Sequence, residues 1–270
     1  MTKNQPEKTT SKKELIEKII EKKEFSKLPK KDVELVFDSF NKPHLTDPEK
    51  IKLTRDLLRK MYTAFISQKL LSPKDKPVEW ILNRHISTKE RLPHYKELYS
   101  RLDIKGHTII DLGAGINGFS YEYLPKNTNY IAIEAVGQLV ELTNTYYKKE
   151  NIKAKAIQES LFNLEKIKEI ITSADVPYKK GKKEKKSKTI FLFKTLDSLE
   201  MLKRDYSKKL LKEITPLVDK VIVSFATKSL ISRKAFKVKR YWFYTFIEEN
   251  FSILDEFELG TEKYIIFKKR

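Results

Sequence analysis

The chain has 270 residues, enough for one large domain or two smaller ones, and 40% of them are hydrophobic, enough to build a core. Its 56 Lys and Arg against 37 Asp and Glu leave a net charge of +19, which points to a polyanionic partner and above all to nucleic acid. The absence of Cys excludes disulfides, Cys-bound zinc, iron–sulfur chemistry and any thiolate nucleophile.

Residues 1–12 are polar and are expected to form a disordered tail. They hold no apolar segment of the secretory kind, and no run approaches the ~20 apolar residues of a membrane span. A cytoplasmic protein without a membrane partner is the expectation. From 13 to 104 the pattern is helical. ELIEKIIEKKEF places Leu15, Ile16, Ile19 and Ile20 on one face, and KKDVELVFDSF does the same with Val33, Leu35, Val36 and Phe40. DPEKIKLTRDLLRKMYTAFISQKLL predicts the longest helix, with Asp47 as N-cap and Pro48 at the first helical position. In HISTKERLPHYKEL, Ser87 and Glu90 have the spacing of a capping box.

After residue 104 short β-branched runs alternate with helix-length segments. HTIIDL, NYIAIEA, IKAKAIQ, KTIFLFK and KVIVSFA predict five strands of repeated βαβ units, hence a mostly parallel sheet covered on both faces. FSILDEFELGTEKYIIFKK reads as an antiparallel hairpin turning at Gly260-Thr261. A parallel Rossmann-like sheet closed by such a hairpin is the architecture of class I methyltransferases, so the expected fold is α/β with an all-helical N-terminal domain. One low-complexity segment interrupts it: seven Lys among residues 179–188 make a solvated insertion or a basic arm for phosphates, with Lys179, Lys180, Lys182 and Lys183 as the candidate contacts.

TIIDLGAGINGFS carries the sharpest local signal. A buried strand runs into Gly113, Gly115 and Gly118, where the backbone must turn tightly and approach a ligand closely. A G-x-G-x-x-G loop also fits a dinucleotide site. Asp111 directly before the glycines, able to anchor an ammonium group, favours S-adenosylmethionine. Glu134 ends the second strand, where a carboxylate accepts ribose hydroxyls, and Gln158 and Glu159 end the third, within reach of an adenine edge.

These segments resemble the aminoglycoside-resistance type of 16S ribosomal RNA (guanine-N7) methyltransferases. The resemblance rests on HISTKERLP, DLGAGINGF, AIQESL, FLFKTL, SFATKSL and LGTEKYIIFKK, and extends over nearly the whole chain. It implies an S-adenosylmethionine-dependent enzyme acting on ribosomal RNA, most naturally the assembled small subunit, as a monomer. By matching position, His85 and Arg91 would close over the methionine end of the cofactor, with Arg91 on its carboxylate. Lys194 would stand near the transferred methyl and the target base, with no general base needed. Lys228, Ser229 and Arg233 would face RNA, Tyr241 and Tyr244 would hold a flipped base, and the domain of residues 13–104 would dock on folded RNA. Asp197 replaces a Pro of the family pattern, and RKAFKVKRYWF replaces a Gly-rich stretch. These departures leave open a ribose 2′-O or other-site RNA methyltransferase. A non-catalytic ribosome-assembly factor with a retained cofactor pocket is the other alternative.

Overall fold

Ser11 opens the first helix, α1 (Lys12–Ile20): its hydroxyl accepts the Glu14 N–H at 3.3 Å, and the Glu14 carboxylate accepts the Ser11 N–H at 2.8 Å. The two bonds satisfy donors that a helix start otherwise leaves unpaired. The computed structural model describes residues 10–63, 66–73, 76–174, 187–227 and 240–270, and the chain divides into two units, Met1–Ile66 and Ser67–Arg270. The described residues of the first unit form helices. Helix α1 buries Leu15, Ile16 and Ile19, leaving Ile20 half-buried. Helix α2 (Lys30–Phe40) buries Val33, Val36 and Phe37, so Phe37 takes the place expected for Leu35 and Phe40, which are half-buried. Helix α3 (Asp47–Leu58) continues into a π turn at Arg59–Thr63. Its N-cap is Thr46, one residue before the predicted Asp47: Thr46 has the extended backbone a cap requires (φ −71°, ψ 158°), and the Glu49 carboxylate accepts its N–H at 2.8 Å.

The second unit begins with four short helices, α4 (Gln68–Leu71), α5 (Val78–Leu82), α6 (Ile86–Arg91) and α7 (Tyr95–Arg101), with a 3-10 turn at Leu92–His94 between the last two. The division at Ile66 and Ser67 lies well before the expected one at 104. The reason lies in α7, which is built into the sheet layer: Tyr99 stacks on Phe191 at 6.2 Å and hydrogen-bonds Ser120 at 2.5 Å.

Seven strands follow, with five helices on the connections: β1 (Thr108–Leu112), β2 (Asn129–Glu134), α8 (Gly137–Lys149), β3 (Ala154–Gln158), α9 (Leu164–Ser173), β4 (Lys188–Phe193), α10 (Leu196–Leu202), α11 (Tyr206–Ile214), β5 (Lys220–Ala226), α12 (Tyr241–Asn250), β6 (Phe251–Leu259) and β7 (Glu262–Lys269). The sheet order is β3-β2-β1-β4-β5-β7-β6. Strands β1 to β5 pair in parallel, and β7 pairs antiparallel with both β5 and β6. Alternate residues of the central strands, Ile110 and Leu112, Ile190 and Leu192, Val221 and Val223, face a core that includes Ile167, Leu196, Leu211 and Ile247. The opposite parity places Ile109, Asp111 and Phe191 toward α7. The hairpin turns at Gly260, φ 63°, as expected. Chain order reverses between β1 and β4, and at such a switch point the strand ends splay to leave a crevice. No helix among the described residues is long and apolar enough to cross a membrane.

Candidate active site

The crevice is shaped first by the loop after β1. Gly113 (φ 73°) and Gly115 (φ 54°) adopt left-handed backbone that disfavours a side chain. At Gly113 a Cβ would also lie 2.9 Å from the Thr195 methyl, whereas at Gly115 it would meet nothing within 4 Å. The loop is therefore packed on one side and open on the other. Glu134, at the end of β2, ties it down: one carboxylate oxygen accepts the Gly115 N–H at 2.8 Å, the other the Val136 N–H at 2.9 Å. Burial pushes this carboxyl up, against the pull of the Val136, Gly115 and Ala135 backbone donors. At the end of β3, Gln158 donates to the Ala135 carbonyl at 3.1 Å, and Glu159 accepts from the Ser160 N–H and the Asn163 amide. The predicted polar strand ends thus do lie together on one rim.

Behind the loop runs a buried polar chain. One oxygen of Asp111, Oδ2, accepts from the Tyr130 hydroxyl and, at 2.7 Å, from the Asn117 side-chain amide. Burial raises the Asp111 carboxyl, opposed by those two donors. The carbonyl end of the same Asn117 accepts from Arg91 Nη1 and from the Tyr95 hydroxyl, both at 2.8 Å. Arg91 then donates from Nε to Glu262 at 2.8 Å. Glu262 also accepts from Ser224 at 2.8 Å and pairs with Lys194 at 3.1 Å, and Lys194 reaches Glu90 at 2.7 Å. Burial alone would raise the Glu262 carboxyl, but the Arg91 and Lys194 charges outweigh it and hold it below the usual range. Lys194 itself is a non-glycine residue in left-handed backbone (φ 57°), its N–H held by the Ser224 carbonyl and hydroxyl, each at 3.1 Å. Strain of this kind at a strand end accompanies sites that must aim a side chain.

Helix α6 differs from expectation. No Ser87–Glu90 capping box forms. His85 is the N-cap, Ser87 lies in the first turn, and the Glu90 carboxylate is taken by Lys194. The segment is held instead by Thr88, whose hydroxyl lies 2.5 Å from the Leu82 carbonyl and 3.0 Å from that of His85. Burial, and then the Arg91 and Lys194 charges, push the His85 imidazole down to about 4, so it is neutral at physiological pH.

Two oppositely charged ends of the polar chain are left over. Asp111 Oδ1 and Arg91 Nη2 have no protein partner among the described residues. An acceptor and a donor, braced by the same Asn117, match the ammonium and carboxylate of an amino-acid moiety. Each oxygen of Glu134 also retains acceptor capacity beyond its one backbone bond. The residues present fit the two ends and the ribose of S-adenosylmethionine.

On the expected RNA side, Tyr241 is 64% exposed, while Tyr244 is half-buried with the Lys263 ammonium 5.2 Å from its ring. The two do not share an environment. Asp197, the departure from the family pattern, pairs with Arg240 through contacts of 3.2 and 2.7 Å. Lys179, Lys180, Lys182, Lys183, Lys228, Ser229 and Arg233 lie outside the described residues. Sequence reading missed Asn117, although it sits inside the Gly-rich motif, and Glu262. The signal for Glu262 was an acid opening the final strand just after the hairpin turn, ahead of the apolar run Tyr264–Phe267.

A parallel sheet ending in an antiparallel hairpin, with a Gly-rich loop after β1 and acids at successive strand ends, defines the class I methyltransferase fold. The family model for ribosomal RNA methyltransferases (FmrO) matches residues 74–266, and the chain belongs to that family. Ribosomal RNA is accordingly the substrate class, and the protein is an enzyme. Among solved structures the fold is similar to that of the 16S rRNA methyltransferase RmtF in complex with S-adenosyl-L-homocysteine, with TM-score 0.77 and 19% identity over 96% of this chain and 98% of that one. An rRNA methylase from Escherichia coli matches with TM-score 0.73 and 18% identity over 96% of this chain and 99% of that one. The 16S rRNA methylase RmtB gives 0.72 and 18%, over 96% and 98%. At these identities the likeness is one of fold.

Proposed function

We propose that the protein transfers a methyl group from S-adenosylmethionine to N7 of a guanosine in 16S ribosomal RNA. The observation that carries the cofactor is the pair of free ends, Asp111 Oδ1 and Arg91 Nη2, in the same site as the open Gly115 backbone. Two of the structurally similar enzymes are 16S rRNA methylases, and one was solved with the demethylated cofactor, which supports both halves of the reading. When bound, the cofactor supplies an electrophilic methyl on a sulfonium. Arg91 would hold its carboxylate, Asp111 its ammonium, Glu134 its ribose, and Gln158 and Glu159 would face the adenine. His85 closes the methionine end as a neutral group.

Guanine N7 carries a lone pair and no proton. Its attack forms the N–C bond as the C–S bond breaks, with the sulfur keeping the electron pair and the purine taking the positive charge. No base is required, so alignment does most of the work. The residues agree: Lys194 is engaged as a donor to two carboxylates, Glu90 and Glu262, a positioning arrangement and not that of a base activating a ribose hydroxyl. Tyr241, exposed at the start of α12, is the better placed of the two aromatics to stack on a flipped base. The RNA-docking segment expected at residues 13–104, the basic residues 179–183 and 228–233, a monomeric state and a cytoplasmic site of action complete the proposal, with the assembled small subunit as the form presented.

The test is methylation of small subunits and of naked 16S RNA with labelled cofactor, followed by mass-spectrometric mapping. Label on guanine N7 of one nucleotide is the expected result. Label on ribose, or none with either substrate, overturns the reading.

A further inference from the structure

Helices α5 and α6 have two different sides. One side is buried into the unit that holds the site, through Ile81, Leu82, Thr88 and Arg91. Away from it, the exposed Lys76 and Arg84 lie beside a half-buried Trp80, and Lys89 is exposed on α6. The Arg84 guanidinium carbon lies 3.8 Å from the Trp80 ring centroid, and Lys76 Nζ lies 6.0 Å from it. None of the three cations has a carboxylate within ion-pair distance among the described residues. Arg101, Lys208, Arg240 and Lys263 of the same unit also lie over aromatic rings but are each paired with an acid.

A guanidinium lying flat on an indole gives up solvation on its faces and keeps its N–H edge free. That edge is a planar fork suited to two oxygens of one phosphate. The indole also limits the orientations of the Arg84 side chain, which lowers the entropy lost when a phosphate is engaged. The exposed ammonium groups of Lys76 and Lys89 add positive charge to the same two-helix segment, which suits a polyanionic backbone. The chain passes from Arg84 directly to His85, and α6 carries Lys89 outward but Glu90 and Arg91 into the polar network. A strand held on this face therefore lies against the same helix that braces the cofactor residues.

We infer that Lys76, Trp80, Arg84 and Lys89 form a phosphate-binding face for the substrate RNA, with the Arg84–Trp80 stack as its anchor. The inference rests on the RNA-methyltransferase reading above and adds a contact surface to it. The experiment measures binding of the full-length protein to a 16S ribosomal RNA fragment across a salt series, with S-adenosylhomocysteine affinity by calorimetry as the control. Arg84→Ala is expected to weaken RNA binding about 5–10-fold at fixed salt and to flatten the salt slope by about one. Lys89→Ala, which leaves the stack intact, is expected to flatten the slope by a similar amount. Arg84→Lys should restore the slope but not the full affinity, because the charge returns without the planar fork. Cofactor-product affinity should be unchanged in all three. Unaltered RNA affinity and slope in Arg84→Ala overturn the inference, as does displacement of the RNA by polyglutamate as effective as that by a competing RNA. Failure of the wild-type protein to methylate RNA that it binds would count against the proposed reaction and not against this face.

Discussion

Asn117 joins three groups that need opposite things from it. Arg91 and Tyr95 need an acceptor and Asp111 needs a donor, and all are buried. A neutral amide supplies both ends at once; a carboxylate supplies only acceptors and would repel Asp111. Asn117→Ala is expected to cost about 2–4 kcal/mol in stability, because more than one buried polar group loses its partner. The same substitution should weaken S-adenosylhomocysteine binding at least tenfold, since Asp111 and Arg91 lose their common brace. Thermal unfolding and calorimetry check the two effects separately. A variant with lowered stability and wild-type affinity would confine Asn117 to a packing role. The Arg91–Glu262 pair alongside it is equally buried, and such pairs contribute little net stability unless every hydrogen bond is satisfied. Here Ser224, Lys194 and Asn117 satisfy the pair except at Arg91 Nη2, the end left for the cofactor carboxylate in the proposed reading.

At the scale of elements, the loop after β1 shows that three glycines of one motif do different jobs. Gly115 faces open space in left-handed backbone, so a methyl there would intrude where the cofactor is proposed to lie. Gly118 has no positive φ; a Cβ there would lie 2.4 Å from the Tyr147 hydroxyl, within the contact between the 3-10 helix Asn117–Tyr123 and α8. Gly115→Ala is therefore expected to cost only about 1 kcal/mol in stability, the left-handed penalty, while lowering S-adenosylhomocysteine affinity more than tenfold. Gly118→Ala should do the reverse, lowering the unfolding temperature by several degrees with a smaller effect on binding to the folded fraction. Paired calorimetry and thermal melts distinguish the two, and equal behaviour of both variants would remove Gly115 from the cofactor surface. Helix α6 teaches a related lesson. Its Ser-x-x-Glu spacing satisfies the rule for a cap, but the helix starts two residues earlier, at His85, which puts Ser87 inside the first turn and leaves the Glu90 carboxylate to Lys194.

For the whole molecule, a net charge of +19 on a 270-residue chain makes affinity for RNA a matter of ionic strength. Binding to ribosomal RNA should weaken at least 100-fold between about 50 and 200 mM salt if six or more phosphates are contacted. Cofactor-product affinity, governed by a few partly buried contacts, should change far less over the same range. Filter binding and calorimetry in matched buffers check this, and parallel salt dependences would show that the excess charge is spent elsewhere than on RNA.

The sequence alone determined the alternation of strands and helices, the terminal hairpin, the Gly-rich loop and the polar strand ends at Asp111, Glu134, Gln158 and Glu159. These are short-range signals, because side-chain periodicity and glycine placement report the local backbone. It did not determine where the helical N-terminal unit ends, since helices α4 to α7 have the same periodicity whether they pack on one another or on a sheet. Nor did it determine that Asn117, Arg91, Glu262, Lys194 and Glu90 form one network. Those residues come from the β1 loop, α6, β7 and the end of β4, and Arg91 and Glu262, which bond directly, are 171 positions apart in the chain. Only the tertiary fold brings them together. Burial then decides their partners, because away from water each charge and amide must find its counterpart within the protein.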